Sequence, residues 1–227
     1  MSERELDRGR TPDSVADAGA EPTDVGGEPD AEAGALAVVC GLPGVGKSTV
    51  AERVAAHLDA EVLRTDVIRK ELFEDPAYTD AETEAVYAEL IDRARERVAD
   101  GRAVVLDATF ADARFRADVR EMGERAAASF DLVEVECDRS VVKRRIERRD
   151  GISDADFEVH LHFERVFDGI EVDHVVVDNS GDEAETAAQV DAAFRGAAGG
   201  ADGPEGADGP EGADGPESGA AESADEA

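Results

Sequence analysis

Apolar and polar residues recur along the chain with two different periods. Short apolar runs predict five strands, at residues 36–40, 61–64, 103–107, 130–137 and 173–177. Apolar residues at helical spacing predict seven helices, at residues 47–58, 67–74, 80–99, 112–128, 140–149, 154–167 and 183–195. Strands that alternate with helices are typical of a mainly parallel sheet covered on both faces. The pattern therefore predicts an α/β fold, in which ligands bind beyond the carboxyl ends of the strands.

Polar residues mark the starts of two predicted helices. Thr79 followed by Glu82, and Ser153 followed by Asp156, have the spacing of a capping box. In that motif each side chain accepts a hydrogen bond from the backbone N–H of the other residue. Both helices are therefore expected to begin at defined positions.

The two ends of the chain differ in composition from its middle. Residues 1–34 are rich in Asp, Glu, Gly, Pro and Ala without apolar periodicity, and are predicted to be a disordered acidic tail. Residues 199–227 repeat the hexapeptide ADGPEG, which is too short and polar to bury a face, and are predicted to be a second acidic tail. A role of this tail in binding partners is the alternative to a solubilising one. The folded domain is expected at residues 35–198.

The predicted domain, like the two tails, has an excess of acidic residues. The 227-residue chain has 24 Lys and Arg against 56 Asp and Glu, a formal net charge of −32. The predicted domain alone holds 37 acidic and 21 basic residues, and the whole chain contains three Lys. Acid-rich, Lys-poor chains resemble proteins of salt-loving organisms, where molar salt shortens the Debye length to about 3 Å and screens self-repulsion. We therefore expect a halophilic protein of a high-salt cytoplasm, in preference to a mesophilic protein with acidic tails.

Charge and hydropathy also limit the partners. A surface this acidic disfavours nonspecific docking on nucleic acid or on an anionic membrane. No apolar stretch reaches the length of about 18 residues that marks a membrane-spanning helix, and no positively charged leader precedes an apolar run, so a cytoplasmic location is expected. The two Cys and four His lack metal-ligand spacing, and are interpreted as structural or surface residues.

The strongest chemical signal follows the first predicted strand. Residues 41–48 read GLPGVGKS and fit the phosphate-loop pattern G-x-x-x-x-G-K-[ST] at every fixed position. A strand before the loop and a helix after it direct backbone N–H groups at one point, which suits a triphosphate and disfavours a chance glycine-rich turn. Lys47 is expected to reach the β- and γ-phosphates, and the Ser48 hydroxyl to bind Mg²⁺. The residues expected to contact ATP are Gly41, Leu42, Pro43, Gly44, Val45, Gly46, Lys47, Ser48 and Thr49.

Acidic residues follow two further predicted strands. Asp66 comes just after the second strand, where its carboxylate can accept a hydrogen bond from an acceptor hydroxyl or can cap the next helix. Arg69, one turn later, can hold an anionic part of the acceptor or lie on a solvated helix face. Asp107 ends the third strand, and beside a phosphate loop such an Asp is expected to bind Mg²⁺ directly or through water.

The densest positive charge in the chain follows the fourth predicted strand, at Arg144, Arg145, Arg148 and Arg149. Arg145 and Arg149 are four residues apart and share a helix face. Their guanidinium groups are expected to clamp phosphate oxygens and neutralise charge that develops during transfer, with pairing to nearby acidic residues as the alternative. Residues from about 145 to 168 are expected to form a lid over the nucleotide.

Taken together, these segments resemble a known family. GLPGVGKST, TDVIRKEL, VVLDATF and RRIERR are similar to the small P-loop kinases related to polynucleotide 5′-kinases, gluconate kinases and zeta-toxin kinases, and the resemblance covers about residues 36–195. It implies a three-layer α/β/α sandwich with five parallel strands in the order 2-3-1-4-5 and a helical lid. It also implies a base-like role for Asp66, substrate contact by Arg69, and nucleotide clamping by Arg145 and Arg149.

The predicted activity is ATP-dependent transfer of the γ-phosphoryl group to a hydroxyl of an unidentified acceptor. Small molecules and nucleosides are open as acceptors, and nucleic acid only as a 5′-hydroxyl substrate, because the chain has no obvious basic tract for a strand. The alternative is a regulatory or non-catalytic nucleotide-binding protein whose acidic tails recruit partners. The chain lacks the N-K-x-D motif that reads guanine, which disfavours a GTPase switch. The joint presence of Lys47, Ser48, Asp66 and Asp107 favours catalysis over the adaptor.

Overall fold

Twelve elements follow one another over the residues that the computed structural model describes, 33–148 and 154–196. Every predicted strand and helix is present, and no boundary differs from its predicted position by more than two residues. The elements are β1 (Leu36–Cys40), α1 (Lys47–Leu58), β2 (Glu61–Arg64), α2 (Thr65–Leu72), α3 (Asp80–Ala99), β3 (Val104–Asp107), α4 (Ala113–Ala126), β4 (Phe130–Glu136), α5 (Arg139–Glu147), α6 (Asp154–Val166), β5 (Val175–Asp178) and α7 (Glu183–Ala193). Most of both predicted acidic tails, at residues 1–32 and 197–227, lies outside the described residues.

The strands form one parallel sheet in the order β2-β3-β1-β4-β5, which confirms the predicted fold class and strand order. β1 is central, and its residue Val38 pairs with Leu106 of β3 and Leu132 of β4. The edge strand β2 pairs with β3, and this pairing sets Arg64 opposite Asp107. Because all strands run the same way, the residues that follow β1, β2 and β3 meet at one end of the sheet.

Two apolar cores cover the two faces of the sheet. β1 is buried along its whole length, as expected for a central parallel strand with helices on both sides. One core joins its face to α3 and α4, and the other joins the opposite face to α1 and α7. Each helix contributes apolar residues at helical spacing, as Val50 and Val54 do from α1. The arrangement is a three-layer α/β/α sandwich.

Helix starts differ in part from the predicted capping boxes. The Thr79 hydroxyl accepts a hydrogen bond from the Glu82 backbone N–H at 3.3 Å, as predicted. The reciprocal bond is not formed, because the Glu82 carboxylate accepts from the backbone N–H groups of Ala77 and Tyr78 instead. A complete capping box opens α7, where it was not predicted. The second predicted box depends on Ser153, which lies outside the described residues.

Within the described ranges, no helix combines the length and the apolar character needed to cross a bilayer.

Candidate functional site

The loop between β1 and α1 has the shape of an anion cradle. Gly46 occupies the N-cap of α1 at φ 97° and, being a glycine, offers no side chain to cap the first-turn N–H groups. A Cβ at Gly46 would lie 2.1 Å from the Asn179 side-chain nitrogen, so both backbone conformation and space require glycine. Gly41, at φ 135°, meets the same limit, since its Cβ would lie 2.4 Å from the Val135 carbonyl oxygen. The predicted phosphate loop is therefore a close-packed turn at the N-terminus of α1.

Lys47 is half-buried at the start of α1, and its side chain reaches back across the loop. Its Nζ donates a hydrogen bond to the Leu42 carbonyl oxygen at 3.0 Å. Burial lowers the pKa of Lys47 from 10.5 to about 8, partly offset by the nearby Asp107 carboxylate. A phosphate group beside Nζ would favour the charged form and raise this pKa again.

Ser48 and Asp107 meet as the sequence predicted. The Ser48 hydroxyl donates to Asp107 Oδ2 at 2.7 Å, and the Asp107 side chain is buried at the end of β3. Two hard oxygen donors at the mouth of the loop have the chemistry that Mg²⁺ selects, with room for further ligands from water and phosphate. The residues present therefore fit a magnesium ion.

Asp66 lies on the other side of Asp107. The helix α2 begins at Thr65, with Arg64 at its N-cap, so the interpretation of Asp66 as a helix cap is wrong. The half-exposed Asp66 carboxylate instead accepts two hydrogen bonds from the Arg64 guanidinium, Nε to Oδ1 at 3.2 Å and a terminal nitrogen to Oδ2 at 3.4 Å. The same Nε lies 3.6 Å from Asp107 Oδ2. Arg64 was not among the predicted site residues.

Arg69 is held against the start of α3. Its guanidinium donates to the Thr83 hydroxyl at 3.3 Å, lies 3.6 Å from a Glu82 carboxylate oxygen, and stacks 4.9 Å from the centre of the exposed Tyr78 ring. One terminal nitrogen is buried and, within the described residues, has no hydrogen-bond partner. A solvated helix face does not describe this environment, because the side chain is largely buried beside Glu82, and contact of Arg69 with an acceptor stays a prediction.

Arg145 lies beside the phosphate loop, as predicted. A terminal nitrogen of its guanidinium is 3.5 Å from the Cys137 sulfur and 3.8 Å from the position that a Cβ on Gly46 would take. This distance places a fixed positive charge next to the loop's N–H groups. Arg149, its predicted companion, lies outside the described residues.

The lid prediction covers α6, which contacts the loop through His160. Its buried ring lies with Nδ1 2.8 Å from the Pro43 carbonyl oxygen and stacks on Phe157. The sequence interpretation of His160 as structural agrees with this contact. Its partner, 117 residues away in the chain, could not be read from local spacing.

Asn179 contacts the phosphate loop and was not among the predicted site residues. It follows β5, and its side-chain N–H donates to the Val45 carbonyl oxygen at 2.7 Å. Its side-chain oxygen accepts from the Thr186 hydroxyl at 2.8 Å. An asparagine directly after a strand, at the edge where ligands bind, was the available signal.

Arg116 was also missed. This buried arginine donates to the Phe110 carbonyl oxygen at 2.5 Å and to the Asp168 carbonyl oxygen at 2.6 Å. It joins the loop that follows β3 to the segment that follows α6. Its helical spacing was the available signal, because Arg116 lies three residues before Val119 and seven before Gly123 on the buried face of α4.

A cavity of about 440 Å³ opens behind the loop, beside Leu42 and Phe167. Its walls carry the carboxylates of Glu134, Glu136 and Asp178. The same cavity is also lined by the Arg139 side chain and by Gly41 and Val45 of the phosphate loop.

A family model described as an AAA domain matches residues 36–170. An uncharacterized protein of Mycobacterium tuberculosis is 34% identical over 139 residues, which are 55% of this chain and 28% of the relative, and a Mycobacterium bovis protein matches equally. The chain thus spans little more than a quarter of the length of these curated relatives.

Solved structures share the fold. A sugar kinase from Janibacter sp. superposes with a TM-score of 0.58 at 19% identity, over 73% of this chain and 96% of the kinase. A gluconokinase from Sinorhizobium meliloti gives 0.56 at 22% identity, over 71% and 91%. The Mycobacterium tuberculosis APS kinase CysC, in complex with AMPPNP and APS, gives 0.58 at 22% identity, over 72% and 98%. These similarities show the fold.

Proposed function

We propose that this chain, which belongs to the AAA domain family and has the fold of small P-loop kinases, transfers the γ-phosphoryl group of ATP to a hydroxyl of an acceptor. The observation that carries the proposal is the hydrogen bond of 2.7 Å between Ser48 and Asp107, with Lys47 on one side and Asp66 on the other. Two oxygen donors suited to a metal, a lysine suited to phosphate and a partly exposed carboxylate at one sheet edge are the parts that phosphoryl transfer needs.

The phosphates would lie in the loop, where backbone N–H groups and Lys47 neutralise the β- and γ-oxygens. Arg145 would add a guanidinium beside the loop, and Arg149, four residues later in the sequence, is proposed to do the same. Mg²⁺ held near Ser48 and Asp107 would supply charge neutralisation at the phosphate oxygens. These groups act by position and charge, which supply most of the catalysis in this reaction class.

Asp66 is the proposed partner of the acceptor. A carboxylate at this place can accept the hydrogen bond of the attacking hydroxyl and take its proton as the bond to phosphorus forms. Half of its side chain is exposed, so an acceptor can reach it. Sugar kinase, gluconokinase and APS kinase neighbours support a hydroxyl acceptor for this fold. The acceptor itself is left open among small molecules, nucleosides and 5′-hydroxyl polynucleotides.

The test combines an acceptor screen with the variant Asp66→Asn. Transfer of label from γ-labelled ATP would be measured in molar KCl across sugars, nucleosides, antibiotics and 5′-hydroxyl oligonucleotides. With the acceptor found, Asp66→Asn should slow transfer by roughly 10²- to 10⁴-fold, because a positioned acid–base group is lost. ATP affinity by calorimetry should stay near the wild-type value.

The matched control is Asp75→Asn, an exposed aspartate in the loop after α2, which should leave turnover unchanged. An Asp66→Asn variant with normal turnover would remove Asp66 from the reaction. A wild-type protein that binds ATP but transfers to no acceptor would instead favour the regulatory or adaptor function.

A further inference from the structure

Arg64 joins the two carboxylates to which the proposed function gives separate roles. Pairing of β2 with β3 sets Arg64 directly beside Asp107. Its planar guanidinium then makes a two-bond fork to Asp66, at 3.2 and 3.4 Å, while Nε stays 3.6 Å from Asp107 Oδ2. The Asp107 oxygen in question is the one that accepts the Ser48 hydroxyl. One side chain thus connects the acceptor carboxylate to the metal carboxylate.

We propose that Arg64 is a positioning residue that orients Asp66 toward the acceptor and, through its charge beside Asp107, weakens the binding of Mg²⁺. The proposal rests on the proposed function. It has two parts, which depend on different properties of the side chain. Orientation depends on the shape of the guanidinium fork, and the effect on Mg²⁺ depends on its charge.

The orienting part follows from the exposure of Asp66. Its side chain is 58% exposed and stands in the first turn of α2, so packing does not fix its rotamer. Two parallel N–H···O bonds to a planar fork define both the position and the plane of a carboxylate. A lysine at this place would keep the charge but, as a point charge on a flexible stem, would not define the plane.

The electrostatic part follows from the short distance to Asp107. A positive charge 3.6 Å from a carboxylate oxygen opposes a second cation at that oxygen. The field of Arg64 also reaches the phosphate loop, where it contributes to the lowered pKa of Lys47. An ordinary surface ion pair with Asp66 alone would have neither consequence, because such pairs contribute little and act locally.

The experiment compares Arg64→Gln with Arg64→Lys. Mg²⁺ would be titrated by calorimetry into the full-length protein saturated with a non-hydrolysable ATP analogue, and turnover would be measured in parallel. Arg64→Gln should tighten Mg²⁺ binding by roughly 3- to 10-fold, because a repelling charge is removed. Arg64→Lys should leave Mg²⁺ affinity unchanged. Both variants should lower kcat by roughly 10- to 100-fold with little change in KM for ATP, because the carboxylate is misplaced.

Arg102→Gln is the control, since Arg102 pairs with Asp100 and Glu61 near the opposite end of β2 and should change neither quantity. Unchanged Mg²⁺ affinity in Arg64→Gln would overturn the electrostatic part whether or not an acceptor is known. Full kcat in Arg64→Lys would overturn the orienting part. If the wild-type protein transfers to no acceptor, the proposed function fails, while a tightened Mg²⁺ affinity in Arg64→Gln alone would still support the charge effect.

Discussion

The two flanks of the phosphate loop are held by different forces. On the flank of β2 and β3, charged groups dominate, with Arg64 between the carboxylates of Asp66 and Asp107. On the flank of β4 and β5, where the Arg145 guanidinium also lies, the Val45 and Pro43 carbonyls accept hydrogen bonds from the buried Asn179 amide and His160 ring, and these two contacts are called the neutral flank. The charged flank is partly exposed at Arg64 and Asp66, whereas Asn179 and His160 are buried.

This difference separates the shape of the site from its chemistry. Buried neutral bonds are costly to break and do not respond to a bound anion, so they keep the loop in one conformation. Charged groups near water exchange partners at low cost, so a nucleotide and a metal can rearrange them. Variants on the charged flank should therefore lose activity and keep stability, and variants on the neutral flank should lose stability.

After Asp66→Asn, the largest expected effect on the charged flank is that of Asp107→Asn. The amide can still accept the Ser48 hydrogen bond, so the melting temperature should change little. Turnover should fall by roughly 10²- to 10³-fold, because a charge that stabilises the transition state indirectly through the metal site is removed. Asp100→Asn, at an exposed loop position, is the control for both assays. A large drop in stability with normal turnover would break the distinction between the flanks.

On the neutral flank, Asn179→Ala should lower the free energy of unfolding by roughly 2–4 kcal/mol, because the Val45 carbonyl and the Thr186 hydroxyl each lose a buried partner. Urea titration in molar KCl measures this loss of unfolding free energy. Gln189→Ala removes a more exposed amide that also follows β5 in the chain, and should cost less. Equal losses of unfolding free energy in the two variants would show that the burial of the Asn179 hydrogen bonds does not add to stability.

The pH dependence of nucleotide binding tests whether a charged group of the site, Lys47, responds to a bound nucleotide. With a folded pKa of about 8 against 10.5 in the unfolded chain, the unfolded state binds more protons between these values. The contribution of Lys47 to stability without nucleotide therefore rises with pH across this window. A bound triphosphate favours the charged lysine, so binding should take up about half a proton at pH 8, and affinity should fall by roughly 3- to 10-fold between pH 8 and 9.

Calorimetry in buffers of different ionisation enthalpy gives the number of protons taken up. Lys47→Arg retains a positive charge at these pH values and should show no uptake from this position. Proton uptake of the same size in that variant would assign the effect to another group.

The smallest expected effect is a change in melting temperature. It concerns an ion pair that is an exception among the uncharged contacts of the neutral flank. Asp191 of α7 accepts hydrogen bonds from Arg53 of α1 at 2.7 and 2.6 Å and lies 2.8 Å from the His57 ring. These partners hold the pKa of Asp191 well below its usual range, so its contribution is present above the unfolded pKa of 3.8 and is lost as pH falls through the folded value. Asp191→Asn should lower the melting temperature slightly at low salt and not in molar KCl.

Wild-type melts over the same salt range test the halophilic prediction. The acidic excess of the chain should raise the melting temperature as salt screens self-repulsion. A melting temperature that is constant or falls with KCl would contradict it.

The charged flank was largely predictable from sequence, and the neutral flank was not. Ser48, Asp66 and Asp107 each follow or end a recognisable strand or loop, and parallel strands bring such positions together. Asn179 and His160 contact loop residues 134 and 117 positions away, so their roles depend on pairings that local spacing does not contain. Arg64 was missed for a different reason, since its importance depends on strand register and not on its own motif.

Some inferences from the local sequence were wrong or incomplete, and others stay predictions. The start of α2 was placed two residues late, which made Asp66 look like a cap. At α3, the Glu82 carboxylate prefers the N–H groups of the preceding loop, so the spacing alone overstated the capping box. The tails and the role of Arg149 stay predictions.

The central position of β1 makes the chain slow to assemble. Its first residue, Leu36, pairs with Val104 and Phe130, so each neighbour of the strand lies at least 68 positions further along the chain. Closing loops of this length before any pairing energy is gained is typical of slow-folding topologies. During synthesis, the loop that follows β1 emerges early but can take its final form only after Asn179, which follows β5, is made. We therefore expect nucleotide binding to appear late in refolding, after most helix content has formed.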